Sequence, residues 1–130
     1  MMTAADTLEI TGVGQIAINC HDVKRATEFY RDKLGLRMLY EFPGLAFFDC
    51  GGVRLMLTKP ETAELDHPSS IIYYRDADIH QASRAIADKG VQIENEPRMI
   101  ARMPDHDLWL SNVRDTEGNI IAFMAEMKTA

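Results

Sequence analysis

QIAINCHDVKRATEFYRDKLGLRM, at residues 15–38, and IIYYRDADIHQASRAIADKGVQI, at residues 71–93, share one order of features. Each starts apolar, passes an aspartate (Asp22, Asp78), continues at helical spacing and reaches a glycine (Gly35, Gly90), at an offset of about 56 residues. A second echo pairs DCGGVRLML at 49–57 with DTEGNIIAF at 115–123, a turn into a strand at an offset of about 66. Two copies of one small unit predict a pseudo-symmetric arrangement with a cleft between the copies. The residues at equivalent places in that cleft then set its chemistry, and here they are Gln15, Met56, Ile71 and Ala122.

Residues 13–20 alternate, with Ile16, Ile18 and Cys20 on one face and Gln15, Ala17 and Asn19 on the other, which predicts a strand. Asp22 can accept from the free amides of a first helical turn. The helix predicted over 23–34 carries Val23, Ala26, Phe29, Tyr30 and Leu34 on one side. Gly35 supplies the left-handed residue that ends it. Strands follow at 36–41, 45–50 and 53–59, and the polar stretch 60–68, with prolines at both ends, reads as a linker.

The second copy predicts a strand at 70–75, a helix at 79–89 and a strand at 91–96. A loop around Pro104, a strand at 108–114, a turn at 115–118 and a strand at 119–126 complete it. The expected fold class is α+β: two βαβββ modules, residues 13–59 and 69–127, in a single domain over 1–130, after a loose lead-in at 1–10. Together they form a curved mixed sheet with the helices on its outer face. Parity then separates core from cavity. Ile16, Ile18, Cys20, Val53, Leu55, Leu57, Ile121 and Phe123 suit the helix side; Gln15, Ala17, Asn19, Arg54, Met56, Thr58, Ala122 and Met124 face away from it.

A net charge of −6 lacks the positive field that collects phosphates, so no nucleic-acid partner is expected, and no anionic membrane surface. No apolar run approaches the ~20 residues of a spanning helix. The first residues, MMTAADTLEITG, lack the basic and apolar regions of a signal peptide, so a cytoplasmic location is the expectation. Cys20 and Cys50 have no CxxC spacing and sit in apolar strand contexts, which favours free thiols acting as small hydrophobes.

HDVKRATEFYRDKLGL at 21–36 resembles the "D-hydrophobic-x-x-(S/A)-x-x-FY-x-x-x-LG-hydrophobic" stretch of the vicinal oxygen chelate superfamily. This superfamily groups glyoxalase I, fosfomycin- and bleomycin-resistance proteins and extradiol dioxygenases. RDTEGNIIAF at 114–123 is similar to its "DPDGNxIEL" hairpin, with Thr116 in place of the usual proline. The resemblance covers about residues 14–126 and implies the fold predicted above. It also implies that metal-dependent members hold a divalent ion with His or Glu on the first and last strands of each copy. Carried over by motif, those positions fall at Gln15, Met56, Ile71 (or Ser70, with one residue of slack) and Ala122. Such an ion needs charged oxygen or imidazole donors, so no metal and no cofactor is expected.

The remaining candidates are polar and aromatic. His106, in RMPDHDLW at 102–109, lies beside Asp105 and Asp107 and is the candidate catalytic acid–base residue. His21, His67 and His80 read as surface residues. The expected ligand-binding set is Gln15, Asn19, Arg54, Met56, Tyr73, Leu110, Asn112 and Ala122, with Ile71, Arg75 and Met124 nearby. Asn112 precedes Asp115 by three residues, where the resemblance implies a substrate-contacting side chain. Trp109 has the opposite parity and reads as core or interface. Arg98, Met99, Arg102 and Met103 suit a flexible rim, or an exposed hairpin.

A mostly apolar pocket with a few polar anchors suits a small organic ligand. The function expected is therefore a small-molecule-binding glyoxalase/bleomycin-resistance-like protein without the usual metal site, sequestering a toxic or antibiotic compound. The acidic chain favours a cationic one. The alternative is a lyase, isomerase or dioxygenase with a displaced metal site or with His106 as its base. A third reading is an accessory module whose work is dimerisation. A homodimer is expected in each case.

Overall fold

A computed structural model of the protein describes residues 7–129. Of the lead-in expected at 1–10, the first six residues lie outside the described ones, and residues 7–10 form no helix or strand. The first repeat is β1 (Gln15–Asn19), α1 (Val23–Glu28), β2 (Arg37–Phe42), β3 (Leu45–Cys50) and β4 (Val53–Thr58). The second is β5 (Ile72–Arg75), α2 (Ile79–Asp88), β6 (Asn95–Arg102), β7 (His106–Arg114) and β8 (Ile120–Lys128). Each repeat makes one four-stranded mixed sheet, ordered β1-β4-β3-β2 and β5-β8-β7-β6. In both, the first strand pairs parallel with the last and the others pair antiparallel. This is the α+β, twice-βαβββ fold that the repeat predicts. Among the described residues no helix is long and apolar enough to cross a membrane.

The helices start where the aspartates predict. Asp22 Oδ1 accepts from the Arg25 amide at 3.0 Å, and Asp78 Oδ1 from those of His80 and Gln81 at 3.0 and 3.2 Å. The first helix departs from expectation halfway. After Glu28 it widens into a π turn, Phe29–Lys33, in which the Leu34 amide reaches back to the Phe29 carbonyl. The wider turn brings two consecutive aromatics inward. Phe29 and Tyr30 are both buried and meet edge to face at 5.7 Å. Gly35 and Gly90 then adopt φ of 71° and 84°, which a side chain would oppose.

Parity sorts the first sheet as expected. Ile18, Leu55, Leu57, Ala46 and Phe48 are buried under α1, whereas Gln15 and Arg54 are exposed. A single cluster of buried side chains includes residues of both repeats.

Two expected boundaries are corrected. The strand predicted at 91–96 begins only at Asn95 and runs to Arg102. Val91 and Ile93 are apolar because they pack on the core from a segment that is not a strand. Beyond them, Pro97 and two register shifts obscure the alternation of a real edge strand. The loop around Pro104 is a tight connection in which the Met103 amide donates to the His106 carbonyl, so His106 opens β7 rather than preceding it. The linker contains one short 3₁₀ turn, Ala63–Leu65.

The repeats meet through polar contacts over a buried seam. The Tyr30 hydroxyl donates to Asp115 Oδ2 at 2.7 Å, and both residues are buried. Asp115 also accepts from the amides of Glu117 and Asn119 and from Asn119 Nδ2, so the turn into β8 is built around its carboxylate. The Glu117 carboxylate caps α1 from the other repeat, accepting from the amides of His21 and Asp22 at 2.6 and 3.1 Å. That position also favours a negative charge. Lys33 and Lys89 each donate to the other's carbonyl, linking the two helix ends.

Burial, and then the Asp115 charge, hold the Tyr30 phenol far above its ordinary pKa. Native Tyr30 therefore keeps a proton that the unfolded chain releases near pH ~10. Stability must fall as pH rises past that value. Tyr30→Phe is expected to lower unfolding free energy in urea by about 1–3 kcal/mol at neutral pH and to flatten the alkaline loss. Tyr74, partly buried and likewise raised by desolvation, retains a share of that slope in the variant. An unchanged midpoint and an unchanged alkaline limb would count against this seam. Burial also pushes the Cys20 thiol up to about 12, with Glu117 and Asp115 adding to it. Cys20 should thus resist thiol reagents at pH ~8 until the chain unfolds. The partly buried Cys50, raised less far by the same cause, should label first by mass spectrometry.

Candidate functional site

Each helix covers one face of its sheet, so the opposite face is free to meet a ligand. Cross-strand partners share a face, and the register therefore lists the side chains on each wall. On the first sheet the rows are Gln15–Arg54, Ala17–Met56–Phe47 and Asn19–Thr58–Leu45. On the second they are Tyr73–Ala122–Asn112–Asn95 and Arg75–Met124–Leu110–Arg98. Ala17 and Tyr73 hold matching places, as do Met56 and Ala122, at the offsets seen in the sequence.

The four positions equivalent to metal ligands stand close in pairs, but their chemistry does not suit a divalent cation. Gln15 Oε1 accepts from Arg54 Nε at 2.8 Å, and Gln15 Nε2 donates to Met56 Sδ at 3.6 Å. The single hard oxygen in the set thus faces a guanidinium, whose charge repels a metal ion. Arg54 is further held 5.1 Å over the Phe47 ring. Ile71 and Ala122 offer only hydrocarbon. Ser70, the other reading of the third position, lies with Ile18, Tyr30 and Tyr74 along the seam. Among the described residues no group of three or more His, Cys, Asp or Glu side chains is arranged to hold a metal ion.

Two cavities occupy the free faces. One, of about 210 Å³, joins Ile71, Tyr73, Leu110, Asn112 and Ala122, with Glu94, Asn95, Arg98, Ser111 and Ile120 around them. Four of the eight expected ligand-binding residues meet there. The other, of about 290 Å³, has Met56 and Asn19 beside Ala17, Thr58, Leu65 and His67. Gln15 and Arg54, bonded to each other, line neither. Neither cavity draws on both sheets, so the expected cleft is divided into two concave surfaces.

Asn19 is already engaged: its Nδ2 donates to the carbonyls of Leu65 and His67, and its amide donates to Ser69 Oγ at 3.2 Å. It holds the linker against β1. Asn112 Oδ1 accepts from Asn95 Nδ2 at 2.7 Å, which fixes the Asn112 amide in the wall. Glu94 is held by Arg114 through two hydrogen bonds of 2.7 and 3.0 Å.

His106 lies at the far end of β7. It is four residues from Leu110, roughly 13 Å along a strand, and lines neither cavity. Its Nδ1 is 2.7 Å from Asp105 Oδ1, and this bond holds the Asp105 carboxyl below the ordinary carboxylate range. Asp105 is fully exposed, so the pair is open to water. Trp109 faces the helix side, where it meets the His80 ring at 5.0 Å. His21 and Asp66, 2.9 Å apart, border a third hollow across the seam with His67 and Glu117.

Glu94 and Asn95 are missed from sequence because the strand expected at 91–96 begins only at Asn95, with Glu94 in the bend before it. The available signal was Pro97, which belongs on an edge strand and marks β6 as starting later.

The family model of the glyoxalase/bleomycin resistance protein/dioxygenase superfamily matches residues 12–123. No curated protein gives a significant match. Among solved structures, lactoylglutathione lyase from Agrobacterium tumefaciens is 22% identical with a TM-score of 0.71, over 90% of this chain and 95% of that one. A glyoxalase/bleomycin resistance protein/dioxygenase from Nocardioides is 21% identical at TM-score 0.71, over 95% and 89%. A virulence protein from Salmonella typhimurium is 16% identical at TM-score 0.75, over 91% and 98%. At these identities the neighbours speak for the fold alone. The repeat, the sheet topology and the match over residues 12–123 agree, and the chain belongs to the glyoxalase/bleomycin resistance protein/dioxygenase superfamily.

Proposed function

We propose that this superfamily member binds a small organic molecule on its free sheet faces without a divalent metal at the usual positions. The observation that carries this reading is the convergence of Ile71, Tyr73, Leu110, Asn112 and Ala122 on one cavity. It combines apolar walls with a fixed amide, the mixture that orients a small ligand by a few polar contacts. The commitment of Gln15 to Arg54 supports the same reading from the metal side. Sequestration of a toxic or antibiotic compound is the role that fits binding without chemistry, and a cytoplasmic location suits it.

A homodimer belongs to this proposal. Tyr40 and Phe42 on β2 and Met99 and Ile100 on β6 are exposed apolar side chains on the outer strand of each sheet. Edge strands of this kind pair readily with a second copy.

The catalytic reading rests on the His106–Asp105 bond, and the distance of that pair from both cavities weighs against it. His106→Ala should leave ligand affinity unchanged, and turnover lost in that variant would revive an acid–base role. Elemental analysis of purified protein is expected to find no stoichiometric zinc, nickel, iron or manganese, and these ions should leave the melting temperature unmoved. A one-to-one metal lost on Gln15→Ala would overturn the metal-free reading. Ligand-screening hits should weaken about tenfold or more on Leu110→Ala or Asn112→Ala. Hits insensitive to both changes would move the site elsewhere.

A further inference from the structure

The net charge of the chain favours a cation, but the local charge of the second-sheet cavity has the opposite sign. Its one carboxylate, Glu94, is already neutralised by the two hydrogen bonds from Arg114. The cation in the wall, Arg98, is the cross-strand partner of Leu110 and so points to the cavity face. Among the described residues its guanidinium has no hydrogen bond and no ion pair. On the opposite edge of the same row stands Arg75, partner of Met124 and equally unpaired. Three strand spacings, about 14 Å, separate the backbones of the two residues, with Met124 and Leu110 between them. The polar atom of Asn112 left over from its bond to Asn95 is Nδ2, another donor.

A wall that offers donors and positive charge above an apolar floor selects for an oxyanion attached to an apolar body. An unpaired guanidinium is suited to it, because its planar fork matches a carboxylate or phosphate through two parallel hydrogen bonds. We infer that the cavity of the second sheet takes a small apolar molecule ending in a carboxylate or phosphate. Arg98 receives the charged end, while Ile71, Tyr73 and Leu110 hold the body. Arg75 faces the same floor from the far rim and adds attraction at longer range. This assignment rests on the proposed ligand site and names the chemistry of its guest.

The test uses amide-resolved NMR titration of the full chain with phenylacetate, phenylacetamide and phenyl phosphate. Phenylacetate or phenyl phosphate should shift the amides of Tyr73, Leu110, Asn112 and Ala122 with a dissociation constant about tenfold below that of phenylacetamide. Whichever of the two binds tighter identifies the end group. Arg98→Gln, at an exposed strand position, should abolish the preference for the anion over phenylacetamide. Arg75→Gln should reduce it by a smaller factor. Equal binding of acid and amide, or a preference that survives Arg98→Gln, would overturn the anion assignment and leave the ligand site standing. If none of the three probes shifts these amides, the ligand site itself falls and the assignment with it.

Discussion

The buried bond from Tyr30 to Asp115 joins the two repeats across their shared core, beside the Glu117 cap and the paired lysines. A carboxylate with Asp115's 7% exposure is costly unless every lone pair is met. Tyr30, Asn119 and two backbone amides meet them, and in doing so fix the turn that aims β8. The strand leaving that turn carries Ala122 and Met124 on the cavity side and Ile121 and Phe123 on the helix side. On the other partner, Tyr30 reaches the seam from the π turn of the first helix, beside a buried Phe29. One hydrogen bond thereby couples a local irregularity in one repeat to the wall of the site in the other.

The same scaffold carries metal chemistry in other superfamily members, and here the substitutions act together. Replacing an anionic ligand by Met56 or Ala122 removes a donor. Setting Arg54 against Gln15 goes further, because it installs a positive charge beside the one oxygen that remains. A guanidinium cannot lose its proton in the accessible pH range, so this repulsion has no pH escape. Arg54, Arg75 and Arg98 all stand on free sheet faces, which gives these surfaces a character that the overall charge of −6 conceals.

Much of the fold was legible because its signals are local. Asp22 and Asp78 cap the helices they announce, Gly35 and Gly90 end them, and the alternation in β1, β4 and β8 separates helix face from free face. Arg98 and Arg102 were legible only as rim residues, because Pro97 and two bulges break the period of β6. The π turn had no signal in a sequence whose apolar spacing fits an ordinary helix equally well. For the site, parity places Tyr73, Leu110, Asn112 and Ala122 on one sheet face, in agreement with the strand register. It carried no information on which polar groups the fold would consume. Asn19 and Gln15 look free in sequence and are both bonded, one to the linker and the other to Arg54.

The central claim, that the place of a divalent ion is closed to one, is tested most directly by titrating manganese(II) into isotopically labelled protein. The ion broadens any amide resonance near its binding site. The account predicts that the amides of Gln15, Met56, Ile71 and Ala122 stay as sharp as those of the core strands at equimolar manganese. Selective broadening centred on those four residues would contradict it.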